Sequence, residues 1–293
     1  MIIVYYFARG LIALLQWLPL PTVARLGRFG GALAFRLDAR HRRVVLDNLQ
    51  KCFGNEKSEW EIMTLAQENF RRIGENYCCA IKTASMSAEE LKAHVEFVRP
   101  ERIQPPRRIV MAIGHFGNFE LYARFQSLSS GYQCATTYRA LKQPELNQLM
   151  QSLREKSGCL YFERRTDGPL LRAAMHSSNI ILGLLADQSS RGLHGPFLGR
   201  DCDTGLSPAV FALRYNCELY TAFCFRVGLA KWQLDVGEKI ETHENGAPRS
   251  SEDIMRDVNR SFEKAVRRDP ANWFWVHRRW KGERAPAKTE EEG

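Results

Sequence analysis

From residue 108 onward, short apolar runs alternate with helical patterns, and this alternation limits the fold more than any other feature. The runs at 108–113, 133–138, 159–162, 180–186, 218–227 and 232–236 read as strands. Between them, 144–156 closes with Gly158, 169–176 opens with Pro169, and 207–215 opens with Ser207-Pro208, as helices do. Strand–helix alternation predicts an α/β fold, with a mixed, partly parallel central sheet flanked by helices. Upstream, 58–83 reads as a helix, with a Ser58/Glu61 capping box and apolar residues at three- and four-residue steps. A last helix is expected at 252–268, after Ser251 and before Pro270. A chain of 293 residues fits one large domain, here 23–281. Residues 282–293, GERAPAKTEEEG, lack an apolar anchor and are expected to be a disordered tail.

The first twenty residues, MIIVYYFARGLIALLQWLPL, carry one charge, Arg9. With no basic residues before the apolar stretch and no small-residue cleavage site, a signal peptide fits poorly. The segment 1–22 is expected to be a single membrane anchor or an interfacial helix, with Tyr5, Tyr6 and Trp17 at the interface. A core helix of the domain is the competing reading. Residues 1–51 hold eight Lys/Arg against two Asp, most of the chain's net +9. Because these cations follow the apolar stretch, the body of the protein is expected on the cytoplasmic side. A mean hydropathy of −0.36 excludes a polytopic membrane protein. The charge asks for an anionic partner: a membrane surface, an acidic carrier or a phosphorylated lipid. The eight cysteines show no C-x-x-C spacing and no zinc pattern, and read as small buried hydrophobes in a reducing compartment.

The segment with chemistry is 109–120, IVMAIGHFGNFE. An apolar strand runs into Gly114, His115, Gly117, Asn118 and Glu120, at the carboxyl end where α/β sheets place functional groups. Five residues on one continuous helix is about 140° of rotation, so His115 and Glu120 would not share a face. They can meet only with His115 in the turn and Glu120 in the first helical turn behind it. Asn118 would cap that helix, and Gly117 would allow the tight entry. Glu120 would then hold one ring nitrogen of His115, leaving the other to take a proton from a hydroxyl.

GHFGNFE resembles the H-x4-D/E motif of glycerolipid-type acyltransferases, and its Glu form resembles the bacterial late acyltransferases of lipid A biosynthesis. Further segments match in order: Asn48–Phe53 (N-L-x-x-x-F), Tyr138-Arg139 with Arg154 and Gly158, Leu185-Ala-Asp-Gln188, Gly195–Gly199 with Thr204-Gly205, and Trp275–Lys281 (W-x-H-R-R-W-K). Together they span roughly 1–281. Ala140 replaces a usual Pro, and Leu198 an often-present second Phe, which bears on the shape of an acyl or donor pocket.

The resemblance implies a membrane-associated O-acyltransferase at the cytoplasmic face of the inner membrane. It would take an acyl thioester, from acyl carrier protein or CoA, to a hydroxyl of a lipid A precursor or related glycolipid. His115 and Glu120 are the expected catalytic residues. Asn118, Arg139, Arg164 and Asp187 are expected to bind substrate, the arginines as clamps for anionic groups. The chemistry asks for no metal and no cofactor beyond the thioester co-substrate, and no nucleic acid is expected. A lysophospholipid or phosphatidylinositol-mannoside acyltransferase is the alternative within the class. A non-enzymatic basic membrane- or nucleic-acid-binding protein is the alternative outside it, since Arg278, Arg279 and Lys281 interleaved with Trp273, Trp275 and Trp280 suit either surface.

Overall fold

The computed structural model describes residues 2–125 and 131–280. A seven-stranded sheet is built from β1 (Val95–Val98), β2 (Arg108–Ile113), β3 (Gln133–Tyr138), β4 (Leu160–Glu163), β5 (Ile180–Leu185), β8 (Glu218–Gly228) and β9 (Lys231–Ile240), in the order β1-β9-β8-β2-β5-β3-β4. All neighbouring pairs are parallel except β8–β9, an antiparallel hairpin. The chain forms the mixed α/β sheet expected from the alternation, and five of its six strand pairs are parallel. β2, in the middle, is buried on both faces, as a parallel strand flanked by helices should be. Val110 and Ala112 join the cluster of Ile254, Val258 and Phe262 from a C-terminal helix, while Ile109, Met111 and Ile113 face a second cluster with Ile181 and Val236.

Several short strands were not legible, β1 among them. β6 (Gly192–Phe197) and β7 (Arg200–Gly205) form an antiparallel hairpin closed at Leu198-Gly199, both at positive φ. Leu198 is buried in this turn and lines neither of the cavities described below, so its departure from the resembled pattern falls on the core.

The described chain opens with four long helices: α1 (Ile2–Trp17), α2 (Leu20–Leu37), α3 (Ala39–Phe53) and α4 (Glu59–Ser85), the last with its capping box in place at Ser58 and Glu61. After them come α5 (Ala88–Lys92), α6 (Pro144–Arg154), α7 (Gly168–Ala174), α8 (Ser207–Tyr215) and α9 (Ser251–Arg268). α2 and α4 touch backbone to backbone. A Cβ on Gly27 would come within 2.5 Å of the Gly74 carbonyl, and one on Gly31 within 2.1 Å of the Phe70 carbonyl.

No helix among the described residues is long and apolar enough to cross a membrane. The break falls at Leu18-Pro19, before the expected boundary at 22, and α2 runs through that boundary. Leu15 and Leu20 are buried with Val23, Ala24 and Cys79, so α1 is laid along α4 as part of the fold. Its other side exposes Tyr6, Phe7 (72%), Leu11, Leu14 and Trp17 (80%). The expected tail, 282–293, lies outside the described residues.

The C-terminal segment is strapped across α3 and α4. Asn48 donates to the carbonyls of Trp275 and His277, and Asn69 to those of Ala271 and Trp273. Trp273, Trp275 and Trp280 are buried, and Arg279 is fully buried, donating to the Asp203 carbonyl and to Thr204 Oγ1. This cluster is therefore core rather than an exposed aromatic–basic platform, and only Arg278 of its basic residues described here is exposed.

Candidate active site

The register of the parallel pair β2–β5 builds the centre of the site. Ile113 lies opposite Leu185, and the Ala186 amide donates to the Ile113 carbonyl. His115 and Asp187 each lie two residues beyond this pair, so they leave adjacent strands side by side. His115 Nδ1 is 2.6 Å from Asp187 Oδ1, and the His115 backbone amide donates to Asp187 Oδ2 at 2.7 Å. The Trp273 indole donates to the same Oδ2 at 2.7 Å. Asp187 is fully buried. Burial alone pushes its carboxyl upward, but the charge of His115, the ring and backbone hydrogen bonds, and the indole outweigh that and hold it below the usual aspartate range.

An ionised acceptor at Nδ1 places the imidazole proton there and leaves the Nε2 lone pair to accept. Gln188 Nε2 lies 3.4 Å from that Nε2, and the next residue, Ser189, donates its amide to His277 Nε2 at 3.1 Å. Phe119 meets the His115 ring edge-on at 4.9 Å, and Phe274 lies tilted across it at 5.8 Å. His115 is thus held on three sides.

The turn that carries it depends on Gly117. Its φ is +51°, and a Cβ there would come within 2.3 Å of the Cys224 carbonyl. The Gly117 amide donates to the Asn272 carbonyl, tying the turn to the C-terminal strap. Asn118 stands at the cap position but makes no side-chain capping bond; its Nδ2 faces Thr83 Oγ1 at 3.4 Å, and its Oδ1 is buried without a protein partner. The element that follows is a 3₁₀ helix, Phe119–Arg124, rather than an α-helix.

Here the expectation for Glu120 is corrected. Glu120 does stand in the first turn of that helix, but its carboxylate pairs with Arg154 at the end of α6, Oε1 to Nη2 at 2.9 Å, and not with His115. The reason is that Asp187 already occupies Nδ1, while Arg154 offers Glu120 a cation. Arg154 is mostly buried, its guanidinium 5.1 Å from the centre of the Tyr161 ring and 5.8 Å from that of Tyr138, with its Nε lacking a partner.

Two apolar cavities meet at this ion pair. One, of about 190 Å³, is lined by His115, Asn118, Tyr77, Met150, Leu153 and Phe274. The other, of about 100 Å³, lies between the 3₁₀ helix and the sheet, lined by Met111, Ile113, Phe125, Cys134, Ile181 and Leu234 among others. Phe119, Glu120, Ala123, Arg154 and Tyr161 line both.

The remaining expected residues fall elsewhere. Arg139 and Arg164 are exposed at the carboxyl edge and line neither cavity; Arg164 reaches only Thr137 Oγ1 at 3.3 Å. Asp187 stands behind His115 rather than facing a substrate. The residues that local reasoning missed are Arg154 as the partner of Glu120 and Trp273 as the third support of Asp187. Among the described residues no three His, Cys, Asp or Glu side chains converge as a metal site would require.

The family model described as bacterial lipid A biosynthesis acyltransferase matches residues 1–282. A lipid A biosynthesis palmitoleoyltransferase from Escherichia coli (strain K12) is 24% identical over 291 residues, covering 94% of this chain and 90% of that protein. A lipid A biosynthesis acyltransferase from Shigella flexneri matches with the same identity and coverage. Among solved structures, the 1-acyl-sn-glycerophosphate acyltransferase PlsC from Thermotoga maritima superposes with a TM-score of 0.38 at 13% identity, covering 84% of this chain and 94% of that one, a likeness too distant to carry an argument.

Proposed function

The chain belongs to the bacterial lipid A biosynthesis acyltransferases, and from that premise we propose that it moves a fatty acyl chain from an acyl thioester, carried by acyl carrier protein or CoA, to a hydroxyl of a lipid A precursor or related glycolipid. The observation that carries this reading is the His115–Asp187 pair, whose imidazole lines a mostly apolar cavity while its carboxylate is sealed behind it.

In this reading Asp187 keeps the proton on Nδ1, and Nε2 takes the proton of the acceptor hydroxyl as its oxygen attacks the thioester carbonyl. Asp187 stabilises the imidazolium that forms, as in a hydrolase triad. The tetrahedral intermediate then collapses. Its C–S bond breaks, the proton passes from Nε2 to the departing sulfur, and an ester and a free thiol result. The oxyanion needs a donor in place beforehand. Arg154, with a free buried Nε and a position on the wall of both cavities, is suited to it. Glu120 acts in this scheme by holding Arg154, and so remains essential without touching His115. The cavity beside the sheet would take the donor's hydrocarbon chain.

Peripheral attachment to the cytoplasmic face of the inner membrane is part of the proposal, supported by the exposed apolar sides of α1 and α2. The test is direct. The full chain is incubated with an acyl-carrier thioester and a lipid A precursor in mixed micelles, and the lipid is read by mass spectrometry. A mass gain of one acyl chain, lost in His115→Ala, is expected. No gain with either carrier or CoA thioesters would refute the assignment.

A further inference from the structure

Away from the cavities, one side of α3, from Ala39 to Lys51, and the C-terminal strap enclose a groove of about 790 Å³. Arg40, Arg43 and Lys51 descend one side of α3 into it, Arg278 enters from the strap, and the buried Trp280 forms its floor. Asp47 is the one acid of the lining. Arg40, Arg43 and Arg278 make no ion pair among the described residues.

The sequence places these cations where the helix alone would not want them. The first turn of α3 reads Ala39-Arg-His-Arg-Arg43 with no acid in it, so positive charges face the positive end of the helix dipole. Arg42 has a local use, donating to the Phe35 and Arg36 carbonyls at the end of α2. His41 pairs with the capping Asp38. Arg40 and Arg43 have no such use, and with Arg278 they converge on one open space. Such an arrangement favours an anion in the groove.

The neighbouring surface points to the kind of anion. The exposed side of α2 carries Leu26, Phe29, Leu33 and Leu37, the last 74% exposed, and Leu37 is followed within three residues by Arg40. An apolar stripe ending in unpaired cations is the pattern of a surface that lies on an anionic bilayer, its side chains in the acyl boundary and its cations among phosphates. We propose that this groove binds the phosphodiester headgroup of an anionic membrane phospholipid, with Arg40, Arg43 and Arg278 as its ligands. The proposal deepens the membrane attachment put forward above and uses none of the residues assigned to acyl transfer.

The test is vesicle flotation of the full chain with phosphatidylcholine alone and with phosphatidylcholine mixed with phosphatidylglycerol. Arg40→Gln/Arg278→Gln removes one cation from each wall; Lys231→Gln/Lys264→Gln removes two exposed cations elsewhere. The groove variant should partition onto the mixed vesicles about 30-fold more weakly than wild type, from about 1 kcal/mol per surface cation, with the control near wild type and neutral vesicles indifferent. An equal loss in the control would reduce the effect to net charge and overturn the site. Unchanged partition, with weakened binding of an acidic acyl carrier protein, would overturn it in favour of a protein partner. Acyl transfer is measured separately in micelles, so an inactive wild type would sink the enzymatic proposal and leave the flotation result standing.

Discussion

Asp187 and His115 stand 72 residues apart in the chain and share two hydrogen bonds, one to the imidazole and one to the backbone amide. One carboxylate thus fixes both the tautomer and the position of the histidine, which a carboxylate on the following helix could not do.

His115→Ala should lower acyl transfer by ~10²–10⁴-fold, the usual contribution of a general base. Asp187→Asn should cost a comparable factor, because an amide at this place can no longer enforce a proton on Nδ1. Single-turnover rates at saturating donor would show this. Full activity in Asp187→Asn would mean that the carboxylate does not set the tautomer of the base.

Glu120→Gln and Arg154→Gln should each impair transfer, and the double variant should be little worse than the worse single one, since each acts through the pair. A double-mutant cycle on kcat/KM is expected to give a coupling of about 0.5–3 kcal/mol. Additive losses would separate the two roles. Arg139→Ala, on the exposed edge outside both cavities, should change kcat/KM much less than Arg154→Gln does.

The pH dependence of stability carries a sign. The folded-state pKa of Asp187 lies below its unfolded value of ~3.9, so its contribution is complete above that pH and is lost as pH falls through the folded value. The gap in Tm between wild type and Asp187→Asn should therefore be widest near neutrality and narrow as the pH is lowered below ~4. A gap that widens on acidification would contradict the ionised assignment.

Gly117→Ala combines a left-handed backbone with a Cβ driven into the Cys224 carbonyl. It should destabilise the fold by about 1–3 kcal/mol, which for a chain of this size lowers Tm by roughly 2–4 °C per kcal/mol. Activity at a temperature where the variant is still folded should fall further, because His115 moves with the turn.

α1 has two sides with separable roles. Phe7→Ser/Trp17→Ser should reduce membrane partition and leave Tm nearly unchanged, since both rings are exposed. Leu15→Ala should lower Tm instead, by about 2–5 kcal/mol of stability for a buried leucine. If Leu15→Ala is silent in a melt, α1 does not belong to the folded body.

Six of the seven strands of the sheet were readable because they are apolar runs separated by helix punctuation; β1, four residues long with Glu96 inside it, was not. The β6–β7 hairpin was not, because Gly192–Phe197 and Arg200–Gly205 lack an alternating pattern. His115 and its turn were visible locally. The partner of His115 was not, because the sequence does not state that β2 and β5 are neighbours; once they are, positions two residues past each strand end must meet. The same limit applied at the C-terminus. Interleaved Trp and Arg look alike in a membrane patch and in a core, and only the carbonyl of Asp203 and the hydroxyl of Thr204, some 75 residues away, decide for Arg279.

The strap held by Asn48 and Asn69 has a consequence for the order of synthesis. Trp273 supports Asp187, and Asn272 accepts from the Gly117 amide, so the catalytic pair is completed by residues near the end of the chain. Every strand of the sheet must therefore be synthesised before the histidine is seated. A product cut before Ala271 would keep the strands and the cavity beside the sheet, but it would lack the indole that supports Asp187, the carbonyl that holds Gly117 and the Phe274 wall of the larger cavity.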